Sequence, residues 1–311
     1  MTSGKKLRAA VVGVGYLGNF HAQKYKNNPQ VELIGVCDHF PAQADKIAAE
    51  LGVKSFHRPQ DLLGQVDLVT VAASTLSHFE VAKLFLQNGV HVNVEKPITA
   101  TLAQAEELVA LAEKNNLKLA VGHIERFNPS VVEVKKNLKK PRLIEMTRMA
   151  TYKARGADVS VLHDLMIHDI DMLFFLSGSS EIESMVGTGT KLISKELDTA
   201  SVTFKMKNGV VGIINVSRVA STMQRSVRVI EDDFTLFANT GTHELEKGEK
   251  GAGGDELVKF TKWTLEKADA LQKETDAFVD AVINNKKPVV TGWDGLVALK
   301  AIEDVQRWIE G

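Results

Sequence analysis

The amino-acid sequence predicts two architectures in succession: an α/β first part on a doubly wound parallel sheet, then an α+β second part on a large, mostly antiparallel sheet. Short apolar runs rich in Val and Ile alternate with amphipathic stretches over the first 123 residues. That is the pattern of strands buried on both faces and joined by helices. After Pro129 the helical stretches thin out and long strand-like segments follow one another, as in an antiparallel meander. The length, 311 residues, suits two such parts. The expected division is residues 1–123 and 124–311, with the last helix able to pack back on the first domain.

In the first part, Leu7–Val14, Val31–Asp38, Val66–Ser74, His91–Pro97 and Leu117–His123 read as strands. Helices are expected at Gly15–Asn28, Pro41–Leu51, Leu76–Asn88 and Thr101–Asn115. Pro41 suits a first turn, and Gly52 and Gly89 suit helix stops. Ser77 with Glu80, and Thr101 with Gln104, have capping-box spacing. In the second part, strands are expected at Arg142–Ala150, Ile182–Ile193, Ala200–Lys207, Val210–Ala220 and Val227–Phe237, with Asn208-Gly209 as a tight hairpin turn. Helical patterns return at Asp164–Leu176, Leu265–Asn284 and Asp294–Ile309, while the polar, Gly-rich Glu249–Asp255 is expected as a mobile loop.

Composition narrows the function classes. Thirty-eight basic and 39 acidic residues leave a net charge of −1, which gives no electrostatic reason to expect nucleic acid or an anionic membrane. The single cysteine, Cys37, rules out an intrachain disulfide, argues against a cysteine zinc site and reads as a buried strand thiol. No run reaches the roughly 18 apolar residues of a membrane span, and no signal-peptide pattern opens the chain. The cytoplasm is the expected compartment.

Gly13-Val14-Gly15-Tyr16-Leu17-Gly18 matches G-x-G-x-x-G between a strand and a helix. In that context Gly13 permits the turn, Gly15 admits a pyrophosphate to the backbone, and Gly18 lets helix meet strand. Asp38 ends the second strand, 20 residues after Gly18, where an acid binds ribose hydroxyls and repels a 2′-phosphate. The reading is a Rossmann domain for NAD rather than NADP. Glu95-Lys96-Pro97 ends a further strand; Lys96 faces the cofactor or forms a surface ion pair. Asp164, His168 and Asp171 share a helix face by spacing, as a carboxylate-oriented imidazole base or as a solvated face. Arg126, in Gly122-His123-Ile124-Glu125-Arg126-Phe127-Asn128-Pro129, binds an anionic group of a substrate or makes a structural pair. Thr75 and His78 are candidates to flank the nicotinamide. Hydride transfer needs no metal, and none is expected.

Together these motifs resemble the glucose-fructose oxidoreductase / inositol dehydrogenase / rhizopine catabolism (Gfo/Idh/MocA) family, as does Gly292-Trp293-Asp294-Gly295 before the last helix. The resemblance implies an NAD-dependent dehydrogenase acting on a sugar hydroxyl. Cofactor-binding residues would be Gly13, Gly15, Tyr16, Leu17, Gly18, Asp38, Thr75, His78, Glu95 and Lys96. Lys96, His168 and Asp164 would be catalytic and would bind substrate with Arg126; dimers or tetramers would form through the second sheet. Gly122–Pro129 and the Asp164–Leu176 helix are most similar to UDP-N-acetylglucosamine 3-dehydrogenases, which implies a nucleotide-sugar substrate in lipid A formation. Inositol or simple aldose oxidation, and a non-catalytic dinucleotide sensor, are the alternatives. Before the Asp164 helix, His163 departs from the family's usual glycines. Tyr152, Lys153, Arg155, Arg218 and Arg225 offer groups for a diphosphate.

Overall fold

A computed structural model describes residues 6–153, 159–253 and 256–311. In chain order it contains β1 (Leu7–Val12), α1 (Tyr16–Asn27), β2 (Val31–Cys37), α2 (Pro41–Leu51), β3 (Lys54–Phe56), β4 (Leu68–Val71), α3 (Thr75–Gln87), β5 (His91–Val94), α4 (Leu102–Lys114) and β6 (Leu119–Val121). There follow α5 (Pro129–Asn137), β7 (Leu143–Met149), a π-helical turn (Leu162–Met166) running into α6 (Ile167–Ser177), β8 (Ile182–Thr190), β9 (Thr199–Met206), β10 (Val211–Ser217) and β11 (Gln224–Ile230). The chain closes with β12 (Phe234–Asn239), β13 (Glu244–Gly253), β14 (Glu256–Thr264), α7 (Ala270–Ile283) and α8 (Gly292–Glu310).

These elements form two compact units. The first holds the chain up to Ile124 together with Asp269–Leu296; the second holds Glu125–Ala268 and Val297–Gly311. The first unit therefore takes α7 and the start of α8 along with the chain up to Ile124. Its six strands are ordered β3-β2-β1-β4-β5-β6 and all pair in parallel, the doubly wound arrangement whose ligands collect at the carboxyl ends of the strands. Ala9, Val11, Val36 and Leu68 in the strands pack with Ala22 and Tyr25 of α1 and with Phe278 and Val279 of α7 in one apolar cluster. The short β3 escaped the sequence reading because three residues carry no periodicity. Helix α3 starts at Thr75 behind Ser74, so Ser77 lies inside the first turn and is not the cap. Thr101 does cap α4, accepting from the Gln104 amide at 3.4 Å.

The second unit is an eight-stranded sheet ordered β14-β13-β12-β11-β7-β10-β9-β8, antiparallel except for the β7/β10 pair. Burial alternates residue by residue along β7, β9 and β10, the mark of a sheet packed on one face only. That face holds Met146, Val202, Phe204 and Ile214 against Ile170 and Leu173 of α6 and Ile302 of α8. The opposite face is a polar ladder with ion pairs Arg228–Glu145 and Lys262–Glu246 and with exposed Val186 and Phe237. Asn208-Gly209 forms the expected turn: Gly209 has φ +88° and its amide bonds the Met206 carbonyl at 2.9 Å.

Two further expectations fail, both in the second unit. The segment Val227–Phe237 is two strands, β11 and β12, parted by a turn in which the Glu231 amide bonds the Phe234 carbonyl at 2.9 Å. The glycine-rich stretch from Glu249 is strand up to Gly253, not loop; residues 254 and 255 lie outside the described residues. Glycine belongs in β13 because a Cβ on Gly248 would come within 2.9 Å of the Phe260 ring on the neighbouring strand.

Candidate active site

The first unit's site starts at the turn after β1. Gly13 has φ +85°, and a Cβ there would meet the Ala73 amide nitrogen at 2.4 Å; both facts demand glycine. A Cβ on Gly18 would lie 1.8 Å from the Gly13 carbonyl oxygen, so only glycine lets α1 sit this close to the turn. Gly15, the N-cap of α1, has open space where its Cβ would be. No side chain caps α1 and no acid occupies its first turn, whereas Thr101, Asn128 and Asp269 cap α4, α5 and α7. The amide end of α1 is thus left for an anion. Tyr16 and Leu17 are exposed beside it.

Asp38 holds this turn in place. Its Oδ2 accepts from the Val14 amide at 2.8 Å and its Oδ1 from the Phe40 amide at 2.9 Å. Gln43 adds a bond to the Val14 carbonyl at 2.7 Å. A cavity of about 510 Å³ opens beside the turn, bounded by Gly13, Gly15, Asp38, His39, His57 and Ser74 among others. None of its described lining residues is Lys or Arg, so nothing there favours a 2′-phosphate over the free ribose hydroxyl that Asp38 suits. The residues present therefore fit NAD. A larger hollow of about 1090 Å³ lies around Arg8, Asp67 and His91, at the amino ends of the strands, away from this chemistry. Cys37 is buried and its thiol is pushed up to about 12 by that burial and by Asp38.

At the end of β5, Lys96 is half-buried and joined to Pro97 by a cis peptide bond. Glu95 beside it bonds His21 of α1, Oε1 to Nε2, at 2.7 Å. Burial alone would raise the Glu95 carboxyl, but His21 and Lys96 hold it below the usual range. His78 is 1% exposed, with Nδ1 2.9 Å from the Pro97 carbonyl and Nε2 3.1 Å from the Ala73 carbonyl. Burial holds it below the usual imidazole range, so the neutral ring, with one N–H, donates to one of these two carbonyls and not to both. Thr75 is half-buried at the start of α3.

In the second unit, Asp164 stands in the π-helical turn and His168 in the first turn of α6; both are half-buried. π-Turns recur at functional sites because they re-aim neighbouring side chains. Asp171 leaves their face: it is fully buried, taking Arg126 Nε at 2.9 and 3.1 Å and Nη2 at 2.6 Å. Arg126 is 7% exposed, so of its two readings the fold builds the structural pair. A second buried pair lies beside it, where Arg148 donates to Asp169 at 2.9 Å and to Glu125 at 2.8 Å. Arg218 is likewise committed, to Asp198 at 2.8 Å, Ser194 at 2.7 Å and the Val159 carbonyl at 2.6 Å. Tyr152, Lys153 and Arg225 are exposed; Arg155 lies outside the described residues. No group of three metal-binding side chains occurs among the described residues, and no described helix is long and apolar enough to cross a membrane.

Sequence reasoning missed His21, Gln43, His57 and Glu274 as neighbours of the site. Asn93 and Glu95 gave a signal, being polar residues alternating within an otherwise apolar strand.

A nucleotide-binding turn, a ribose-suited acid and a strand-end lysine define an NAD-binding oxidoreductase. Residues 7–123 match the oxidoreductase family with an NAD-binding Rossmann fold, and residues 131–243 match the GFO/IDH/MocA C-terminal domain. The chain belongs to the Gfo/Idh/MocA family. It is 33% identical to UDP-N-acetylglucosamine 3-dehydrogenase of Acidithiobacillus ferrooxidans, over 98% of this chain and 97% of that one. A solved structure of that enzyme superposes with TM-score 0.92 at 32% identity, covering 98% of each chain. Myo-inositol 2-dehydrogenase of Thermotoga maritima is 26% identical over 94% of this chain and 93% of its own.

Proposed function

We propose that the protein oxidises a hydroxyl of a nucleotide sugar, the 3-hydroxyl of UDP-N-acetylglucosamine. The end-to-end match to a dehydrogenase of that substrate, at 33% identity, carries the reading. NAD supplies the hydride acceptor when bound. The amide end of α1 holds its phosphates, Asp38 its ribose, and Thr75 flanks the ring. Lys96 and His168 serve the same substrate hydroxyl: one takes its proton while the other stabilises the charge developing on its oxygen. Asp164, four residues before His168, orients the imidazole or holds the sugar. Arg126 drops out of the substrate set because Asp171 occupies it; Lys153 and Arg225, the latter 4.0 Å from Glu125, are the exposed cations of the set for a diphosphate. We place the enzyme in the cytoplasm, as a homo-oligomer joined through the open face of the eight-stranded sheet.

The inositol-dehydrogenase relative supports a second reading, oxidation of an inositol by the same residues. NADH formation from NAD across UDP-N-acetylglucosamine, myo-inositol and free aldoses separates the two. Turnover of the nucleotide sugar alone is expected; turnover of inositol alone moves the assignment to the second reading. Lys96→Met and His168→Ala should each lose about 10²–10⁴ in kcat with NADH binding kept. Near-normal turnover in both variants overturns the roles of Lys96 and His168.

A further inference from the structure

Between the parallel sheet and its helices α1 and α7 lies a polar layer that hydride transfer itself does not use. Asn93 and Glu95 stand two residues apart at β5 and so face one side of the sheet. His21 reaches them from α1 and Glu274 from α7. His21 bonds Glu95 at 2.7 Å, and the Asn93 amide donates to Glu274 Oε1 at 3.2 Å. Three further atoms in this layer, His21 Nδ1, Asn93 Oδ1 and Glu274 Oε2, are buried without a hydrogen-bond partner among the described residues. Buried polar atoms are nearly always paired, so a cluster of three calls for a reason.

The charges supply one. Glu95 and His21 satisfy each other as anion and cation. Glu274 is 4% exposed and has the Asn93 amide as its hydrogen-bond donor. Burial pushes its carboxyl up to about 7; the charge of His21 opposes that rise, the charge of Glu95 assists it, and the Asn93 hydrogen bond opposes it. The titratable groups facing it are His21 and Tyr25 from α1 and Glu95 from the end of β5, where Lys96 is the next residue. The Tyr25 hydroxyl is engaged with Thr70 of β4 at 2.7 Å.

We propose that Glu274 is a buried proton store linked to the charge of the bound nicotinamide: ionised while the ring is cationic, and protonated when the ring is neutral. This rests on the reading that Lys96, one residue from Glu95, stands at that ring. A cationic ring held there would favour an anion in this layer. When a hydride, carrying two electrons, passes from the carbinol carbon to the ring, the ring loses its positive charge. The Glu274 carboxylate then binds one proton from the medium, while the substrate's hydroxyl proton leaves through the base. Linkage is reciprocal, so ionising Glu274 must favour NAD+ over NADH.

The test is binding of the two cofactor forms without sugar, so a wrong substrate assignment does not affect it. NADH fluorescence, with NAD+ as competitor, gives the ratio Kd(NAD+)/Kd(NADH) at acid and alkaline pH. That ratio should fall by about three- to tenfold between about pH 6 and 8.5, the scale of one unit charge acting on another about 12–25 Å away at an effective dielectric of about 20. In Glu274→Gln it should be flat. An unchanged slope in the variant, or a flat ratio in the wild type, overturns the proposal. A second measurement needs no variant: calorimetric titration of wild type in two buffers of different ionisation heat should show more proton uptake with NADH than with NAD+ near pH 7. Equal uptake overturns the proposal. No binding of either form at any pH overturns the cofactor reading and this one together.

Discussion

Removing Asp171 should take from a buried guanidinium the carboxylate that meets it at three contacts. Arg126 is 7% exposed and Asp171 not at all, and three contacts of 2.6–3.1 Å join them. Breaking such a pair from one side costs about 3–5 kcal/mol, because the remaining charge stays buried with that attraction lost. A unit of this size loses about 2–4 °C of melting temperature per kcal/mol. Asp171→Ala and Arg126→Met should therefore each melt roughly 6–20 °C lower by calorimetry or intrinsic fluorescence. Replacing both, as Arg126→Met with Asp171→Leu, removes both buried charges and should recover most of the loss. The double variant should also keep the wild-type KM for the sugar, since the pair is structural. The reasoning fails if Arg126→Met melts within about 2 °C of wild type while its KM rises more than about tenfold; Arg126 would then be a substrate ligand after all.

Asp38→Ala should weaken NAD more than NADP, read as the ratio of the two Kd values; an unchanged ratio removes Asp38 as the ribose ligand. Gly18→Ala drives a methyl into the Gly13 carbonyl, 1.8 Å from the new Cβ, so α1 must move; NADH affinity should fall at least about tenfold and stability by about 1–3 kcal/mol, both measurable on soluble protein. Glu274→Gln should change how stability depends on pH. The folded-state carboxyl is raised to about 7, so the unfolded chain gives up its proton first, and wild-type stability falls as pH rises from the ordinary carboxylate range through about 7. Denaturant melts should show the variant gaining on wild type by about 3 kcal/mol between about pH 4.5 and 8; parallel curves would mean that Glu274 is already ionised at the acid end.

Much of the cofactor site was legible because its demands are local. Gly13, Gly18 and Asp38 answer to a turn and a strand end, both visible in a short window of sequence. Asn208-Gly209 and Thr101 were legible for the same reason. What escaped depends on partners far along the chain. Arg126 offered two readings until Asp171, 45 positions later, was found against it. Glu274 lies 181 positions from the Asn93 amide it meets, and no local pattern pairs them. Glu249–Gly253 read as loop because the strand that pairs with it, β14, comes only afterwards in the chain. The spacing of Asp164, His168 and Asp171 assumed an unbroken α-helix; the π turn and the buried pair separated the third residue from the other two.

The first unit is also discontinuous, closed by a segment that follows nearly all of the second, and this matters for how the protein is made. Phe278 and Val279 of α7 belong to the apolar cluster that includes Ala9, Val11 and Ala22. On the ribosome, where amino-terminal regions emerge first, the nucleotide-binding sheet must wait with that flank uncovered while some 150 further residues are synthesised. A fragment ending at Ile124 would present the same bare flank to solvent. Nascent chains of this enzyme should accordingly engage chaperones until α7 arrives, and dinucleotide affinity should appear only late in synthesis.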